Sequence, residues 1–318
     1  MKRFFIPFFI VLYLFASDEA ILDSYRKNGM KNLEKKLDLA LIDKNYWDKK
    51  VKNVQFGWYE NPRYILFCDT KDKKLTLFFV NKNETKKILS SSIVIGKDGI
   101  GKEKKNDFKT PIGVYKIVDK KDKVEPKYGP LAFVLNYPNH LDRSFNRDGY
   151  GIWLHGFPIG CKDKSFTKGC VAAPNDNLLK IDKKIDYKKS IVIISPSKDL
   201  KILKRDIVEI LSFLHRWRYY WKYDDFDNYI NCYSKDLRSS YGDFKNFFNE
   251  KKDIFSRRYK KNIRFTNIKI TPYPNLEKES IWRVEMDEFY KAPNLTFEGK
   301  KILYLKKEGS IFKIWREY

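Results

Sequence analysis

Short apolar runs rich in β-branched and aromatic residues, separated by charged turns, follow one another along the middle of the chain. They fall between Tyr64 and Ser195 and read YILFCD, KLTLFFV, SSSIVIGK, TPIGVYKIV, LAFVLNYP, GIWLHGF and SIVIIS. Each run has the length and composition of a strand rather than a helix. The pattern predicts a mostly β domain over residues 56–196, with one helix at residues 175–182.

The hydrophobic pattern changes after this segment. Residues 200–213 favour a helix, and aromatic residues continue at helical spacing through RWRYYWKYDDFDNYINCYSKDL. Three strand-like runs follow: NIRFTNIKITPY, SIWRVEMDEFY and KKILYLKKEGSIFKIWREY. Helices followed by antiparallel strands predict an α+β domain over residues 200–318.

The first residues have the composition of an export signal. Lys2 and Arg3 precede an apolar run from Phe4 to Ala16. A basic start, a short apolar run and a small residue at its end are typical of a secretory signal peptide. Residues 1–16 are therefore predicted to be a signal peptide and the protein to be periplasmic. An uncleaved inner-membrane anchor is the alternative, although a spanning helix needs about 20 apolar residues.

Residues 17–55 are charged and helix-prone, which predicts a helical N-terminal extension. Leu33, Leu37, Ala40 and Leu41 fall at helical spacing and form one apolar stripe. The stripe either packs on its own chain or forms the contact of a homodimer. The sequence leaves both alternatives open.

The chain is strongly basic. It has 65 Lys and Arg residues against 41 Asp and Glu residues, for a formal net charge of +24. A charge of this size attracts an anionic partner, unless it only solvates the surface. Export argues against nucleic acid, so the expected partner is the cell wall or an anionic lipid.

The cysteines do not form a recognisable metal pattern. The chain has Cys68, Cys161, Cys170 and Cys232. Their spacing matches neither a zinc site nor a dense disulfide framework. At least one cysteine is therefore available for chemistry, and no metal is predicted.

His155 and Cys170 are the strongest candidates for a catalytic pair. Both are flanked by glycine, and a turn-rich segment joins them. A neighbouring imidazolium lowers the pKa of a thiol, and the histidine can then protonate a leaving amine. The Gly156 carbonyl is a candidate for orienting the imidazole, and the amides of Lys168, Gly169 and Cys170 are candidates for an oxyanion hole. The alternative is that the cysteine packs as a small hydrophobic residue.

The segment HGFPIGCKDKSFTKGCVAAPND resembles the YkuD-type L,D-transpeptidase family. That family has a His-Gly pair, then Ser/Thr-x-Gly-Cys, then an Asn; here these are His155-Gly156, Thr167 to Cys170 and Asn175. The run KTPIGVYKI resembles a second family motif through Thr110, Pro111, Gly113 and Tyr115, and the likeness covers residues 56–196. It implies a β-rich fold, a YkuD-like β-sandwich. It also implies a thiol that forms an acyl-enzyme with the diaminopimelate of a tetrapeptide stem, releasing D-alanine.

The resemblance implies roles for further residues. Cys170 is the nucleophile, His155 the general base and acid, and Gly156 the orienting carbonyl. Substrate contacts are expected from Tyr128, Trp153, Thr167, Lys168 and Asn175. Many members carry an Arg where this chain has Ala172, so Arg147 or Lys168 is expected to replace it. Cys161 either packs or forms a redox lock with Cys170.

The C-terminal segment resembles an NTF2-like domain, a cone-shaped α+β fold with a pocket. Trp217, Trp221, Tyr229 and Tyr233 either form its core or bind a glycan or peptide ligand. The three-part layout resembles the L,D-carboxypeptidases that set cell shape in curved and helical Gram-negative bacteria. This favours trimming of peptidoglycan stem peptides by water, without a cofactor. The alternatives are an L,D-transpeptidase with an amine acceptor and a non-catalytic wall-binding scaffold.

Overall fold

The computed structural model describes residues 8–160, 165–277 and 279–318, with side chains from residue 19 onward. Residues 1–7 of the predicted signal peptide and Cys161 lie outside the described residues, whereas residues 8–16 have helical backbone. Within the described ranges, no helix is long and apolar enough to cross a membrane.

The strands form two sheets that follow one another along the chain, except that the first strand belongs to the second sheet. The helices are α1 (Phe8–Ala40), α2 (Lys44–Lys50), α3 (His140–Ser144), α4 (Asn175–Asp182), α5 (Lys204–Lys222), α6 (Phe226–Ile230) and α7 (Phe244–Ser256). The strands of the first half are β1 (Trp58–Tyr59), β2 (Arg63–Asp69), β3 (Lys74–Val80), β4 (Thr85–Ser92), β5 (Gly113–Lys121), β6 (Ala132–Leu135), β7 (Trp153–Gly156), β8 (Val171–Ala173) and β9 (Ile191–Ser195). Those of the second half are β10 (Tyr233–Ser239), β11 (Gly242–Asp243), β12 (Asn262–Pro272), β13 (Ile281–Ala292), β14 (Leu295–Glu308) and β15 (Ile311–Glu317).

The first sheet has eight strands in the order β4-β3-β2-β9-β5-β6-β7-β8. Its two edges meet, because Val94, just after β4, forms a bridge with Ala172 in β8. The sheet therefore curls over one apolar core, which includes Leu66, Tyr115 and Phe133. This confirms the predicted β-rich catalytic fold, and it places β7 and β8 side by side.

The second sheet has seven strands in the order β1-β12-β13-β14-β15-β10-β11. α5 packs against it, with Trp217 completely buried in the shared core. Trp217, Trp221, Tyr229 and Tyr233 are all buried there, and the Trp217 indole donates to the Tyr233 hydroxyl at 3.0 Å. The predicted α+β domain is thus confirmed, and these four aromatic residues belong to its core.

The N-terminal extension packs on the C-terminal domain. Trp47 of α2 stacks on His215 of α5, with ring centroids 5.1 Å apart. Asp38 forms ion pairs with Arg218 at 2.5 Å and Lys222 at 2.6 Å. These contacts support packing on its own chain, and a dimer contact through the exposed part of α1 stays a prediction.

The first helix is interrupted, and only part of its predicted stripe is buried. α1 breaks at Gly29, whose φ of 72° and ψ of 172° are not helical. Leu33 is buried and Leu41 is partly buried, whereas Leu37 and Ala40 are exposed. The predicted apolar stripe is therefore buried only at its two ends, Leu33 and Leu41.

Most predicted elements agree with the structure, and two are displaced. α4 has the predicted bounds. The strand predicted at SSSIVIGK instead begins at Thr85, because the Asn81 carboxamide accepts from the Asn83 and Glu84 amides and closes a tight turn there. The helix predicted at residues 200–213 begins at Lys204 and continues to Lys222. The aromatic run predicted at helical spacing changes to strand β10 at Tyr233. α3, α7 and the short strands β1, β8 and β11 were not predicted.

A third apolar cluster joins the two domains. It combines Ile65, Phe67, Val114, Leu141 and Ile193 of the first half with Tyr273, Ile281, Tyr304 and Trp315 of the second. β1 also pairs with β12 of the second sheet, with Trp58 opposite Ile270. The catalytic domain is therefore packed directly on the C-terminal domain. The predicted boundaries at residues 56 and 200 stay predictions.

Candidate active site

Two adjacent parallel strands bring His155 and Cys170 to one cleft. β7 pairs with β8 so that His155 lies opposite Ala172. Cys170 directly precedes β8 and is two residues from Ala172, which puts its side chain on the same face as His155. Both side chains line a cleft of ≈ 540 Å³.

The turn before Cys170 is held by two threonine hydroxyls. The Thr167 hydroxyl donates to the Cys170 carbonyl at 2.7 Å and accepts from the Gly169 amide at 3.1 Å. The Thr110 hydroxyl lies 3.4 Å from the same carbonyl and accepts from the Gly96 amide at 2.8 Å. Gly169 has a φ of 119°, and a Cβ there would approach the Lys109 carbonyl to 2.8 Å. Only glycine fits this turn without strain.

The Cys170 thiol is held as a neutral group. It donates to the Gly151 carbonyl at 3.4 Å, and the Trp153 amide approaches the sulfur at 3.4 Å. Burial raises the pKa of the thiol to about 11, against smaller lowering effects of the Trp153 amide and the Lys102 charge. This differs from the expectation that an imidazolium lowers the thiol pKa.

The His155 imidazole is oriented by the backbone. Its Nδ1 lies 2.7 Å from the Gly156 carbonyl oxygen. Because a carbonyl can only accept, Nδ1 carries the proton and Nε2 is left as the base. Burial lowers the pKa of His155, and the Gly156 carbonyl partly offsets this. The Tyr128 ring packs edge-on against the imidazole, with centroids 5.2 Å apart.

Asn175 packs directly against the Gly156 backbone. A Cβ at Gly156 would lie 2.3 Å from Asn175 Oδ1 and 2.7 Å from Pro130 Cδ. Asn175 Oδ1 is buried, with no hydrogen-bond partner among the described residues. Asn175 therefore supports the carbonyl that orients His155, and does not lie among the side chains that line the cleft.

The cleft is aromatic and cationic. Four of the predicted substrate-contacting residues line it: Tyr128, Trp153, Thr167 and Lys168. Its lysines are Lys102, Lys105, Lys127 and Lys168, and no Asp or Glu belongs to its described lining. Such a surface suits a substrate with several carboxylates.

Lys102 was not predicted. Its side chain is only 4% exposed, and its ammonium group contacts Asp107 Oδ1 at 2.7 Å and the Lys104 carbonyl at 2.9 Å. Lys102 holds down the pKa of Asp107, which is about 2. In the sequence Lys102 stands in the run KEKKND, which has the composition of a solvated turn. Nothing in that run signals a buried lysine.

The structure places Arg147 away from the cleft. Its guanidinium donates to the completely buried Asp142 at 3.2 Å, in a separate pocket beside the C-terminal domain. The fixed pairing with Asp142 keeps Arg147 from replacing the absent arginine at Ala172. Cys68 and Cys232 are buried thiols, with pKa values raised by burial to about 12.

This arrangement is suited to acyl transfer. Among the described residues, the Cys170 thiol is hydrogen-bonded to the Gly151 carbonyl and the Trp153 amide, and not to His155. The Gly169 amide is engaged by Thr167, which leaves the amides of Lys168 and Cys170 as the remaining donors of the predicted oxyanion hole. A thiol, a neutral imidazole with an available Nε2 and nearby amides can support nucleophilic attack on an amide carbonyl.

Two family models match this chain. Residues 63–194 match the L,D-transpeptidase catalytic domain named YkuD, and residues 209–318 match the Cds6 C-terminal NTF2-like domain. No curated protein sequence matches the chain.

Solved structures match most of the chain. The helical cell shape determining protein Pgp2 from Campylobacter jejuni is 33% identical, with a TM-score of 0.80 over 87% of this chain and 99% of that chain. A single-residue variant of the same protein gives a TM-score of 0.81, at 33% identity, over 87% and 98% of the two chains. Bdellovibrio bacteriovorus Bd1075 is 27% identical, with a TM-score of 0.66 over 80% and 91%.

Proposed function

Because the chain belongs to the YkuD family of L,D-transpeptidase catalytic domains, joined to a C-terminal NTF2-like domain, we propose that it is a peptidoglycan L,D-carboxypeptidase with Cys170 as its nucleophile. Its substrate is the tetrapeptide stem, and its products are the tripeptide stem and D-alanine. The observation that carries the proposal is the oriented imidazole: His155 Nδ1 is bound to the Gly156 carbonyl at 2.7 Å beside the strand end that bears Cys170.

The first half-reaction forms a thioester. Cys170 Sγ attacks the carbonyl carbon of the diaminopimelate–D-alanine amide while His155 Nε2 takes the thiol proton. The amides of Lys168 and Cys170 stabilise the negative charge that develops on the carbonyl oxygen. The C–N bond then breaks, and the imidazolium gives its proton to the departing amine of D-alanine.

The second half-reaction returns the free thiol. Neutral His155 takes a proton from a water molecule as its oxygen attacks the thioester carbonyl. The C–S bond breaks, and the proton returns to sulfur. His155 must be neutral in both attacks, and its lowered pKa keeps it neutral at physiological pH.

The layout of the chain supports trimming and a role in cell shape. Pgp2, which is described as determining helical cell shape, matches 87% of this chain, and the cationic cleft suits a stem peptide with free carboxylates. The proposed location is the periplasm, where this substrate is found.

L,D-Transpeptidation is a second candidate for the same acyl-enzyme. The matched family is described by that activity. An amine would then replace water in the second half-reaction, giving a crosslink or an exchanged D-amino acid.

Incubation with disaccharide-tetrapeptide muropeptides, with and without an added amine acceptor, separates these reactions by mass spectrometry of the products. We expect tripeptide and free D-alanine from the wild type and neither from Cys170→Ala. Crosslinked or exchanged products would instead identify a transpeptidase. If neither reaction occurs, the scaffold interpretation replaces the enzymatic one.

A further inference from the structure

One wall of the cleft is built by the connection between β6 and β7. This connection contains α3 and then the segment 145–152. Its Gly151 carbonyl accepts from the Cys170 thiol at 3.4 Å, and Tyr150 and Ile152 line the cleft. The position of this wall therefore affects the immediate surroundings of the nucleophile.

The helix that precedes this wall rests on the C-terminal domain. The His140 ring stacks on Tyr318 with centroids 4.6 Å apart, and Phe145 contacts Trp315 at 5.7 Å. Leu141 is buried in the apolar cluster that joins the domains. α3 has only five residues, so it depends on such tertiary contacts for its stability.

The N-cap of α3 is bound from the C-terminal domain as well. The Asn139 carboxamide oxygen accepts from the Leu141 and Asp142 amides at 2.9 and 3.0 Å. Its Nδ2 donates to the Tyr273 hydroxyl at 2.9 Å and to the Val114 carbonyl at 3.3 Å. The residue that starts α3 is therefore tethered to both domains through one buried amide.

The same hydroxyl lies against the start of β5. A Cβ at Gly113 would come within 2.4 Å of the Tyr273 hydroxyl oxygen. The catalytic domain thus leaves a space at Gly113 that this tyrosine fills.

Hydrogen bonds continue from α3 into the cleft wall. Asp142 accepts from the Arg147 guanidinium at 3.2 Å. The following residue, Asp148, accepts from the Lys105 amide, and its carbonyl lies 3.1 Å from the Tyr137 hydroxyl. The Tyr137 hydroxyl is also 3.3 Å from the Lys102 carbonyl. Two lysines of the cleft are therefore fixed to the segment that α3 anchors.

We propose that Tyr273 of the C-terminal domain is a positioning residue for the catalytic cleft. Its hydroxyl holds Asn139, and through α3 it sets the wall that carries the Gly151 carbonyl. The C-terminal domain is then part of the catalytic unit as well as a separate folded module. The expected change in kcat rests on the proposed function, whereas the expected change in the alkylation rate of Cys170 does not.

Two measurements on full-length variants test this proposal. The first is the rate of Cys170 alkylation by iodoacetamide at a fixed pH, followed at that cysteine by peptide mass spectrometry. The second is the split between kcat and KM with the muropeptide. The variants are Tyr273→Phe, which removes the hydroxyl, and Asn139→Ser, which keeps a capping oxygen and loses the amide that reaches Tyr273.

Tyr59→Phe is the matched control. Tyr59 is buried at the same domain interface, and its hydroxyl contacts the Phe56 carbonyl at 2.8 Å and Thr271 at 3.1 Å. Among the described residues, no hydrogen bond or ring contact joins Tyr59 to α3. The control therefore loses a buried hydroxyl of the same kind without affecting the tether.

We expect Tyr273→Phe to lower kcat by about 3- to 10-fold with little change in KM, and to speed alkylation of Cys170 by a similar factor as the wall loosens. Asn139→Ser should change both quantities in the same direction and at least as much, because it also loses the hydrogen bond to the Val114 carbonyl. The double variant should be no worse than Asn139→Ser alone, because the contact with Tyr273 is already absent there. Tyr59→Phe should leave both quantities unchanged.

Equal behaviour of Tyr273→Phe and Tyr59→Phe in both measurements would overturn the proposal, as would additive losses in the double variant. If alkylation responds as expected while the wild type turns over no muropeptide, the tether stands and the proposed function fails.

Discussion

Cys170 and His155 are both neutral at rest, and burial is the reason for each. Burial raises the thiol pKa to about 11 and lowers the imidazole pKa, so neither group gains from ionising alone. The proton must then move during the attack itself. The Lys102 charge favours the thiolate, but it only partly offsets the effect of burial on the thiol pKa.

A neutral thiol predicts a characteristic alkylation profile for the free enzyme. The rate of Cys170 alkylation by iodoacetamide should rise about tenfold per pH unit through the neutral range and level off only near pH 11, because the thiolate is the reactive form. The measurement is site-specific peptide mass spectrometry across pH. A plateau that begins below pH 7 would show that a thiolate–imidazolium pair exists at rest.

Substitution of Gly156 should impair catalysis without changing the reactivity of the Cys170 thiol. In Gly156→Ala the new methyl group meets Asn175 and Pro130 and displaces the carbonyl that orients His155. We expect kcat/KM to fall about 100-fold while the Cys170 alkylation rate stays near that of the wild type.

Gly299→Ala is the control for this substitution, because its Cβ would meet only the movable end of the Phe297 ring. If Gly156→Ala and Gly299→Ala retain equal activity, the backbone carbonyl does not orient the histidine.

At the scale of single helices and strands, the sequence predicted the elements whose position is determined by a local pattern of residues. The strand pattern located β2, β3, β5, β6, β7 and β9, and the bounds of α4 were correct. The His155–Gly156 contact could be anticipated because the two residues are adjacent. Lys102 and Arg147 could not be placed, because their roles depend on Asp107 and Asp142 and on a loop fold that no short-range pattern encodes. The five-residue α3 is too short to leave a periodic signal.

The packing of α2 indicates that the N-terminal extension stabilises the C-terminal domain. Trp47 is 8% exposed, stacks on His215 and donates from Nε1 to the Leu41 carbonyl at 2.8 Å. Trp47→Ala should lower the free energy of unfolding by about 3 kcal/mol or more, measured by urea denaturation. Tyr46→Ala, at the exposed neighbouring position, should cost about 0.5 kcal/mol or less. Similar losses in the two variants would mean that the extension contributes no specific packing.

At the scale of the whole molecule, the two domains are joined by apolar packing and by one buried carboxylate. Glu285 of β13 is 3% exposed. It contacts Lys116 of the catalytic domain at 2.8 Å, and Lys269 and Arg283 of its own sheet at 2.8 and 2.5 Å. Despite burial, these cations hold the pKa of Glu285 far below its usual value. The contact between the domains could not be predicted from sequence, because Lys116 and Glu285 are far apart in the chain.

The ion pairs of Glu285 should make the free energy of unfolding fall as the pH is lowered. Glu285→Gln should lower the free energy of unfolding by about 3 kcal/mol near neutral pH, because several buried cations lose their counter-charge. The depressed pKa means that this contribution is present above the ordinary glutamate value of 4.5 and declines as the pH falls below it. Denaturation of wild type and variant across pH should show the difference shrinking in acid.

Asp287→Asn, two residues along the same strand, is the control, because its carboxylate is half-exposed and pairs with Lys300. A gap between Glu285→Gln and wild type that does not depend on pH would contradict the assigned role of Glu285.

The central claim is that Cys170 carries the stem peptide as a thioester, and intact-protein mass spectrometry after acid quenching tests it most directly. Wild-type protein mixed with disaccharide-tetrapeptide should gain the mass of the muropeptide less D-alanine. Digestion of the quenched protein should locate this added mass on the peptide that contains Cys170. Cys170→Ala should gain nothing and release no D-alanine. Turnover that persists in Cys170→Ala, or an adduct on another residue, would contradict the account.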